Sequence, residues 1–256
     1  MIFYYQVKVS MSKHIVICLL TFLSFASSAK TSDSRMIIEA YGGSSTAGVM
    51  AIRKNNGRLT NIITKDNEMH FLNEFLQKKY GQSIKVINKG QPSAQAIELL
   101  NGSYKYKENG LWADEMKKSK ARLIILNFAT NDARHYHFKD AKPGYVLSPE
   151  QYEKVMTELI TIARDNGKQV VLQEPHPLCG KAEKWDVSPY SSKLDSLAKS
   201  LSVPVVKQYQ RIQDMAGWPS MMSPDCIHPS NELYKIKAEE TYKVIEDNFE
   251  PLMTRH

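Results

Sequence analysis

Residues 36–48 read Met-Ile-Ile-Glu-Ala-Tyr-Gly-Gly-Ser-Ser-Thr-Ala-Gly, an apolar run that ends in a turn rich in glycine and serine. Short apolar runs with β-branched and aromatic residues are typical of buried strands. Paired glycines let a chain turn sharply, and a serine in such a turn can present its hydroxyl to a ligand. The stretch therefore predicts a strand that carries a reactive or ligand-binding loop at its carboxyl end.

The same pattern, an apolar run followed by a loop, recurs along the chain. Strands are predicted at residues 36–41, 84–87, 122–128, 169–173 and 203–206. Helices are predicted between and after them, at residues 67–80, 92–100, 149–165, 190–201 and 231–249. Strand alternating with helix predicts one five-stranded parallel sheet with helices on both faces, a three-layer α/β/α fold. Residues 48–60 are expected to be irregular, and Pro204 indicates that the last strand lies at an edge of the sheet.

The first 29 residues have a different character from the rest of the chain. Lys13 and His14 precede an apolar run at residues 15–26, which is shorter than the roughly 20 residues that a membrane-spanning helix needs. Small residues follow the run, and polar residues begin at Lys30. This order predicts a secretory signal peptide at residues 1–29, starting at Met1 or at Met11, and a single domain at residues 30–256. The expected location of the mature protein is the periplasm or the outside of the cell, with no stable membrane anchor after the signal peptide is removed.

Composition and charge exclude several classes of protein. The chain is 42% hydrophobic and 24% charged, with 12 glycines and 11 prolines among 256 residues, so disordered, collagen-like and coiled-coil architectures are disfavoured. The net charge of +7 falls by two, to +5, if the segment that contains Lys8 and Lys13 is removed. The remaining lysines and arginines are dispersed, so a nucleic-acid partner is not expected.

Two glycine-containing loops follow the first two predicted strands. Residues 42–48 lack the lysine of a phosphate-binding P-loop, and Thr46 stands where a Gly-x-Ser-x-Gly elbow needs its last glycine. Gly90 precedes a predicted helix, so its N–H is a candidate donor to an anion, although a plain turn between strand and helix explains it equally well.

Two further loops contain polar residues suited to catalysis. Asn131 follows the third strand and offers a side-chain amide donor, or forms an ordinary turn with Asp132. Asp225 lies three residues before His228, a spacing that lets a carboxylate fix the tautomer of an imidazole and support its charged form. No metal site is predicted, because no pair of histidines has zinc-binding spacing with a third ligand. His70 lies in a predicted helix. Scattered surface positions are expected for His135, His137 and His176, although they are near the predicted active loops and contact with substrate stays open.

Together the four loops resemble the sequence blocks of the SGNH hydrolases, the GDSL-like esterase and lipase superfamily, over about residues 36–249. Residues 42–48 keep the glycine, serine, threonine and final glycine of the first block, and Gly90 matches the second. Residues 129–132 match the third block, and residues 225–229 keep Asp-x-x-His-Pro of the last. Two positions depart from the pattern, with Gly43 in place of an aspartate and Ala129 in place of a glycine; neither supplies a reacting group.

The resemblance implies a flavodoxin-like fold and a set of roles for individual residues. Ser44 would be the nucleophile, with Ser45 as the minor alternative, His228 the general base and Asp225 the residue that orients it. The oxyanion would be bound by the N–H groups of Ser44 and Gly90 and by the side-chain amide of Asn131. No cofactor is expected.

The resemblance also implies a class of reaction but not one substrate. The expected activity is hydrolysis of a small-molecule, glycan or lipid carboxylic ester through an acyl-enzyme. An O-acyltransferase with the same triad and a non-catalytic glycan- or lipid-binding protein on this scaffold are the alternatives. Acyl-chain length, the alcohol part of the substrate and the oligomeric state do not follow from the sequence.

Two cysteines remain after the predicted signal peptide, Cys179 and Cys226. They lie in the loops after the fourth and fifth predicted strands, which adjoin at one end of the sheet. A disulfide between them, suited to an oxidising compartment, and two independent buried thiols are both open. Six aromatic residues could line a substrate cleft, although burial in the core is expected for most of them: Tyr104, Tyr106, Trp112, Tyr136, Trp185 and Trp218.

Overall fold

A computed structural model describes residues 35–254 of the chain, so the predicted signal peptide at residues 1–29 lies outside the described residues. Within residues 35–254, no helix combines the length and the apolar character that a membrane span requires.

Five strands form one sheet in which every neighbouring pair is parallel, which confirms the predicted fold class. The order across the sheet is β4-β1-β5-β6-β7. β1 and β5 lie inside the sheet, and every residue of β5 is buried, as expected for a strand covered on both faces. The strands of this sheet are β1 (Met36–Gly42), β4 (Ile84–Asn88), β5 (Leu123–Asn127), β6 (Gln169–Gln173) and β7 (Val205–Val206).

Helices cover both faces of this sheet, because alternate residues of the strands bury their apolar side chains on opposite sides. Ile124 and Leu126 of β5 pack on one face against α3, α4, α6 and α7, whereas Leu123 and Ile125 pack on the other against α2 and α9. The helices of the described residues are α1 (Ser44–Ala47), α2 (Glu68–Tyr80), α3 (Ala96–Leu100), α4 (Trp112–Lys118), α5 (Thr130–Phe138), α6 (Pro149–Asp165), α7 (Ser188–Ser200), α8 (Tyr209–Gln213) and α9 (Asn231–Thr254).

The segment predicted to be irregular forms a β-hairpin instead. β2 (Val49–Arg53) pairs antiparallel with β3 (Leu59–Ile63), apart from the main sheet. Gly57 has a φ of 80°, and its N–H donates to the carbonyl of Lys54 across the turn. An Asn-Gly pair at residues 56–57 is a strong local signal for a hairpin turn, and this signal identifies the element from sequence.

Several helix boundaries also differ from the predictions. α3 begins at Ala96 rather than at Pro92, because Ser93 has a φ of 67° and cannot belong to a right-handed helix. α4 and α5 lie outside the predicted helices, and α5 begins within the loop predicted at residues 129–132. α9 continues past Phe249, where the backbone leaves helical geometry just before Pro251, a residue that cannot donate to the preceding turn.

Both edges of the main sheet are protected from pairing with another strand. On β4, the N–H of Val86 donates to Asn73 Oδ1 at 2.9 Å, and the carbonyl of Ile84 accepts from Gln77 Nε2 at 2.8 Å. These side chains of α2 satisfy backbone groups that no strand pairs with. The opposite edge is β7, which is two residues long and follows Pro204, as the proline predicted.

Candidate active site

The turn after β1 places Ser44 at the first residue of α1. A Cβ on Gly42 would overlap Thr46 Oγ1 and the carbonyl oxygen of Asn127, so only glycine fits there. The hydroxyl of Tyr106 accepts from the N–H of Gly42 at 3.0 Å and lies 2.8 Å from its carbonyl oxygen. The turn is therefore held rigidly, and as the first residue of a helix, Ser44 has an N–H without an intrahelical acceptor.

A chain of hydrogen bonds runs from Ser44 to the loop before α9. His228 Nε2 lies 2.9 Å from Ser44 Oγ, and His228 Nδ1 lies 2.6 Å from Asp225 Oδ2. The structure thus brings together the serine, histidine and aspartate that the sequence singled out. Ser45, the alternative nucleophile, is buried in α1.

The second carboxylate oxygen of Asp225 is also occupied. Oδ1 accepts from the backbone N–H groups of Ile227 and His228 and from Ser223 Oγ, each at 3.0 Å. Burial by itself would raise the pKa of Asp225, but the His228 hydrogen bond and charge and the two backbone N–H groups outweigh it and lower the pKa to about 2. Asp225 is therefore ionised at neutral pH and can only accept, so His228 Nδ1 carries the proton and Nε2 is free to accept from Ser44 Oγ.

Asn131 lies in the first turn of α5, beside the nucleophile turn. Its Nδ2 donates to the carbonyl of Ala94 at 2.9 Å. A Cβ on Gly43 would lie 2.8 Å from the same Nδ2, so the glycine at this position leaves room for the amide. Because a side-chain amide has two N–H groups, one stays available for a ligand when the other is bound to Ala94.

Gly90 lies next to the nucleophile turn, and its N–H is hydrogen-bonded within the chain. A Cβ there would overlap the backbone nitrogen of Ala47, which requires glycine. Its N–H donates to Asn88 Oδ1 at 2.9 Å, and Gly90 does not line the cleft beside Ser44. Ser93 lines that cleft instead, in the left-handed conformation that usually requires glycine. Sequence reasoning missed Ser93, because no glycine marks the position.

Ala129, which stands at the usual glycine of the third block, also has an unfavourable backbone. Its φ of 117° costs a non-glycine residue about 1–3 kcal/mol. Its N–H donates to Asp132 Oδ2 at 3.1 Å, while Oδ1 accepts from the N–H of Ala96 at the same distance. Burial raises the pKa of Asp132 to about 7 despite these hydrogen bonds. Asp132 therefore joins the starts of α3 and α5, which flank the cleft.

The cleft beside the triad has a volume of about 350 Å³. Its apolar lining comes from the hairpin and from Pro92, Trp185 and Ile227. A larger cavity, of about 610 Å³ between α2 and β4, contains no residue of the triad. The cleft is lined by Ser44, Val49, Asn61, Ile62, Ile63, Pro92, Ser93, Asn131, Arg134, Trp185, Ile227 and His228.

The loop that carries Asp225 and His228 is joined to the loop after β6. The structure links Cys179 and Cys226 by a disulfide, and the N–H of Cys179 donates to the carbonyl of Cys226 at 3.1 Å. His176 lies under the same loop, with Nε2 at 2.8 Å from the carbonyl of Ile227. His176 is buried rather than on the surface as predicted, and burial together with the charge of Lys237 lowers its pKa to about 3.

The aromatic residues divide between the core and the cleft. Tyr106 and Trp112 are fully buried, whereas Trp185 lines the cleft and Tyr104 and Tyr136 are exposed. Trp218 is half-buried near α8. Across the described residues, no three histidine, cysteine or acidic side chains form a group that could hold a metal ion.

Comparison with known proteins gives one family and a set of solved structures. Residues 30–241 match the family model described as GDSL-like Lipase/Acylhydrolase. No curated protein matches the chain. A lipase/acylhydrolase from Enterococcus faecalis is 14% identical with a TM-score of 0.63, over 83% of this chain and 96% of that one.

Two esterases are similar in structure to the same degree. The acetylxylan esterase Axe2 from Geobacillus stearothermophilus is 16% identical with a TM-score of 0.62, over 82% of this chain and 94% of that one. Est24, a carbohydrate acetylesterase from Sinorhizobium meliloti, is 14% identical with a TM-score of 0.62, over 84% and 100%. At such identities these likenesses show the fold alone.

Proposed function

The chain belongs to the GDSL-like lipase/acylhydrolase family, and from this premise we propose that it is a serine esterase that hydrolyses carboxylic esters through an acyl-enzyme. The observation that carries the proposal is the chain of hydrogen bonds from Ser44 Oγ through His228 to Asp225. A serine bonded to a histidine, itself oriented by a carboxylate, is the arrangement that activates a hydroxyl for acyl transfer.

In the first half of the reaction, His228 Nε2 takes the hydroxyl proton of Ser44 while Oγ bonds to the ester carbonyl carbon. The bond from that carbon to the alcohol oxygen then breaks, and the alcohol leaves with the proton from His228. In the second half, His228 takes a proton from water as the water oxygen attacks the acyl carbon. Ser44 Oγ leaves, regains its proton from His228, and a carboxylic acid is released.

The negative charge on the carbonyl oxygen requires donors that are in place before the reaction. We propose the N–H of Ser44 and the side-chain amide of Asn131 for two of them. For the third we propose the N–H of Ser93 in place of Gly90. Ser93 lines the cleft and its N–H has no acceptor within residues 35–254, whereas the N–H of Gly90 is bound to Asn88.

The proposal extends to export and domain organisation. We propose that residues 1–29 are a signal peptide, that residues 30–256 form the single mature domain, and that it acts in the periplasm or outside the cell. The disulfide between Cys179 and Cys226 supports this, because disulfides persist in oxidising compartments. N-terminal sequencing of the exported protein is expected to begin at Lys30; an uncleaved chain would contradict the signal peptide.

Hydrolysis of a short-chain p-nitrophenyl ester tests the chemistry. Ser44→Ala and His228→Ala are each expected to lower kcat by about 10⁴–10⁶-fold, and Asn131→Ala by about 10²–10³-fold. A fluorophosphonate should form a covalent adduct with the wild type that peptide mapping places on Ser44.

Two matched serine variants serve as controls in that experiment. Ser45→Ala is expected to keep activity, because Ser45 is not bonded to the histidine. Ser93→Gly is expected to keep it as well, because it retains the backbone N–H. Full activity in Ser44→Ala, or an adduct on Ser45, would overturn the assignment. Ester product formed only when an acceptor alcohol is added would identify an O-acyltransferase instead.

A further inference from the structure

The hairpin β2–β3 exposes large apolar side chains on a two-stranded sheet. Leu59, Ile62 and Ile63 are 38%, 38% and 65% exposed, and four of the five residues of β3 are exposed. Leu59 and Ile63 are four residues apart in β3, so they project to the same face of the hairpin. A two-stranded hairpin in water is marginally stable by itself, and clustered exposed apolar side chains mark surfaces that contact another body.

The charged side chains of the same hairpin are all positive. Residues 49–63 contain three basic side chains and no acidic one: Arg53, Lys54 and Arg58. All three surround the turn and are exposed. Within residues 35–254, none of them forms an ion pair with a carboxylate. Their charge is thus available to an anionic partner.

The hairpin is also continuous with the catalytic cleft and fixed to it. Ile62 and Ile63 line the cleft together with Ser44 and His228. At the base of the hairpin, Tyr234 donates to the carbonyl of Val49 at 2.6 Å. The N–H of Ala51 in the same strand donates to Ser223 Oγ at 3.2 Å, and that hydroxyl also contacts Asp225. A body that sits on the hairpin therefore lies at the mouth of the cleft.

We propose that the β2–β3 hairpin docks the protein on an anionic phospholipid surface and leads acyl esters from that surface to Ser44. Exposed apolar side chains on the same hairpin as lysine and arginine fit a lipid interface, where the apolar groups enter the acyl boundary and the cations meet the headgroups. A second copy of the chain fits poorly, because a two-fold contact would bring the same cations of both copies into one interface. The purpose of the docking rests on the proposed esterase function, but binding to a lipid surface can be measured independently of that function.

Vesicle co-sedimentation tests the docking directly. The purified protein is mixed with vesicles of phosphatidylglycerol and phosphatidylcholine, or of phosphatidylcholine alone, at low and high salt. Binding is expected to the anionic vesicles only and to weaken at high salt, because exposed charges are screened. Arg53→Gln/Lys54→Gln/Arg58→Gln should weaken binding by about fivefold for each cation removed. Leu59→Ser should weaken it several-fold.

Matched controls come from α4 and the residues next to it, which lie outside the hairpin and do not line the cleft. Lys117→Gln/Lys118→Gln/Lys120→Gln removes the same charge from exposed positions, and Leu111→Ser removes an exposed leucine. Both controls are expected to bind vesicles as the wild type does. The rate of hydrolysis of a soluble short-chain ester should be unchanged in the triple variant of Arg53, Lys54 and Arg58 and in Leu59→Ser. An unchanged rate shows that both variants are folded.

Several outcomes would overturn the docking. Two of them are binding to neutral vesicles as strong as binding to anionic ones, and binding of both hairpin variants as strong as that of the wild type. A third is binding that depends on the cations but not on Leu59; this result would indicate a site for a polyanion. Loss of self-association in Leu59→Ser, seen by light scattering, would identify a second copy as the occupant. Because Ser44→Ala is expected to bind vesicles normally, failure of the esterase proposal and failure of the docking are separate results.

Discussion

The carboxylate of Asp225 is held from four sides, by the ring of His228, by the hydroxyl of Ser223 and by two backbone N–H groups. These contacts keep the charge on Asp225 while it is largely withdrawn from water. The consequence is thermodynamic as well as catalytic, because a group that titrates differently in the folded and unfolded chains makes stability depend on pH.

Replacing Asp225 by asparagine is expected to remove the contribution of this carboxylate to the pH dependence of the unfolding free energy. The folded pKa of about 2 lies below the ordinary value of 3.8, so the stabilisation is fully present above about pH 4 and is lost as pH falls through 2. The difference in unfolding free energy between the wild type and Asp225→Asn, from urea titrations, should shrink by about 2 kcal/mol between pH 5 and pH 2. The exposed Asp247→Asn serves as the control; a difference independent of pH would contradict the interpretation.

The triad could be predicted from sequence because its residues lie in short contiguous motifs. Asp225 and His228 are three residues apart, and Ser44 follows two glycines. Ser93 could not be found in this way. Its proposed role depends on a left-handed backbone that the surrounding loop imposes on a serine, and residue type alone favours the nearby Gly90.

At the scale of elements, the disulfide fixes the position of one catalytic loop. β6 and β7 are neighbours, so the loop after β6, with Cys179, adjoins the loop with Cys226, Asp225 and His228. The cysteines are 47 residues apart in sequence. Closing a loop of that length restricts the unfolded chain, which by the entropy model stabilises the fold by about 4 kcal/mol at most.

The double variant Cys179→Ser/Cys226→Ser is expected to lose about 2–4 kcal/mol of unfolding free energy in urea. Its kcat should fall less than tenfold, because the hydrogen bond between the two cysteine backbones remains. Reduction of the wild type should reproduce both changes, and the same reductant should leave the double variant unaffected. An unchanged urea midpoint after reduction would show that the disulfide does not restrain the loop.

Short elements were the hardest to predict. α4 and α5 are seven and nine residues long and depend on tertiary contacts, since helices of that length are marginal by themselves. The hairpin β2–β3 lacks the continuous apolar run of a buried strand, because most of its second strand faces water. The long helices and central strands were predicted because their burial imposes a regular pattern.

At the scale of the whole molecule, a buried ion pair joins three elements on one face of the sheet. Lys237 Nζ of α9 lies 3.2 Å from Glu68 Oε2 of α2, and both side chains are fully buried. Glu68 Oε1 accepts from Gln173 of β6 at 2.6 Å and from Thr241 at 2.9 Å. The network ties α2 and α9 to β6 of the main sheet.

Removing one partner of this pair should cost more than removing both charges. Lys237→Met is expected to lower the unfolding free energy by about 3–5 kcal/mol, because it leaves the Glu68 charge buried without compensation. Glu68→Gln/Lys237→Met is expected to lower it by less, since no buried charge remains. Urea titrations of Lys237→Met, Glu68→Gln and the double variant at pH 7 give the coupling energy between the two side chains. Additive losses would show that the pair acts as two independent groups.

The architecture of the sheet followed from the sequence, whereas the order of its strands did not. Five apolar runs separated by helices require parallel connections, which places every following loop at one end of the sheet. Only the edge position of β7 was indicated, by Pro204. The position of β1 between β4 and β5 depends on which helices pack on each face, and no local pattern encodes that choice.

The side chains of Asn73 and Gln77 on β4, and the shortness of β7, close the sheet to growth in both directions. An unpaired edge strand can form hydrogen bonds with a strand of another chain, and repeated pairing of this kind leads to domain swapping and fibrils. Across residues 35–254 the main sheet offers no edge for such pairing. At high local concentration, copies of the protein are therefore protected from joining through the edges of their main sheets. On β4, two amide side chains provide this protection.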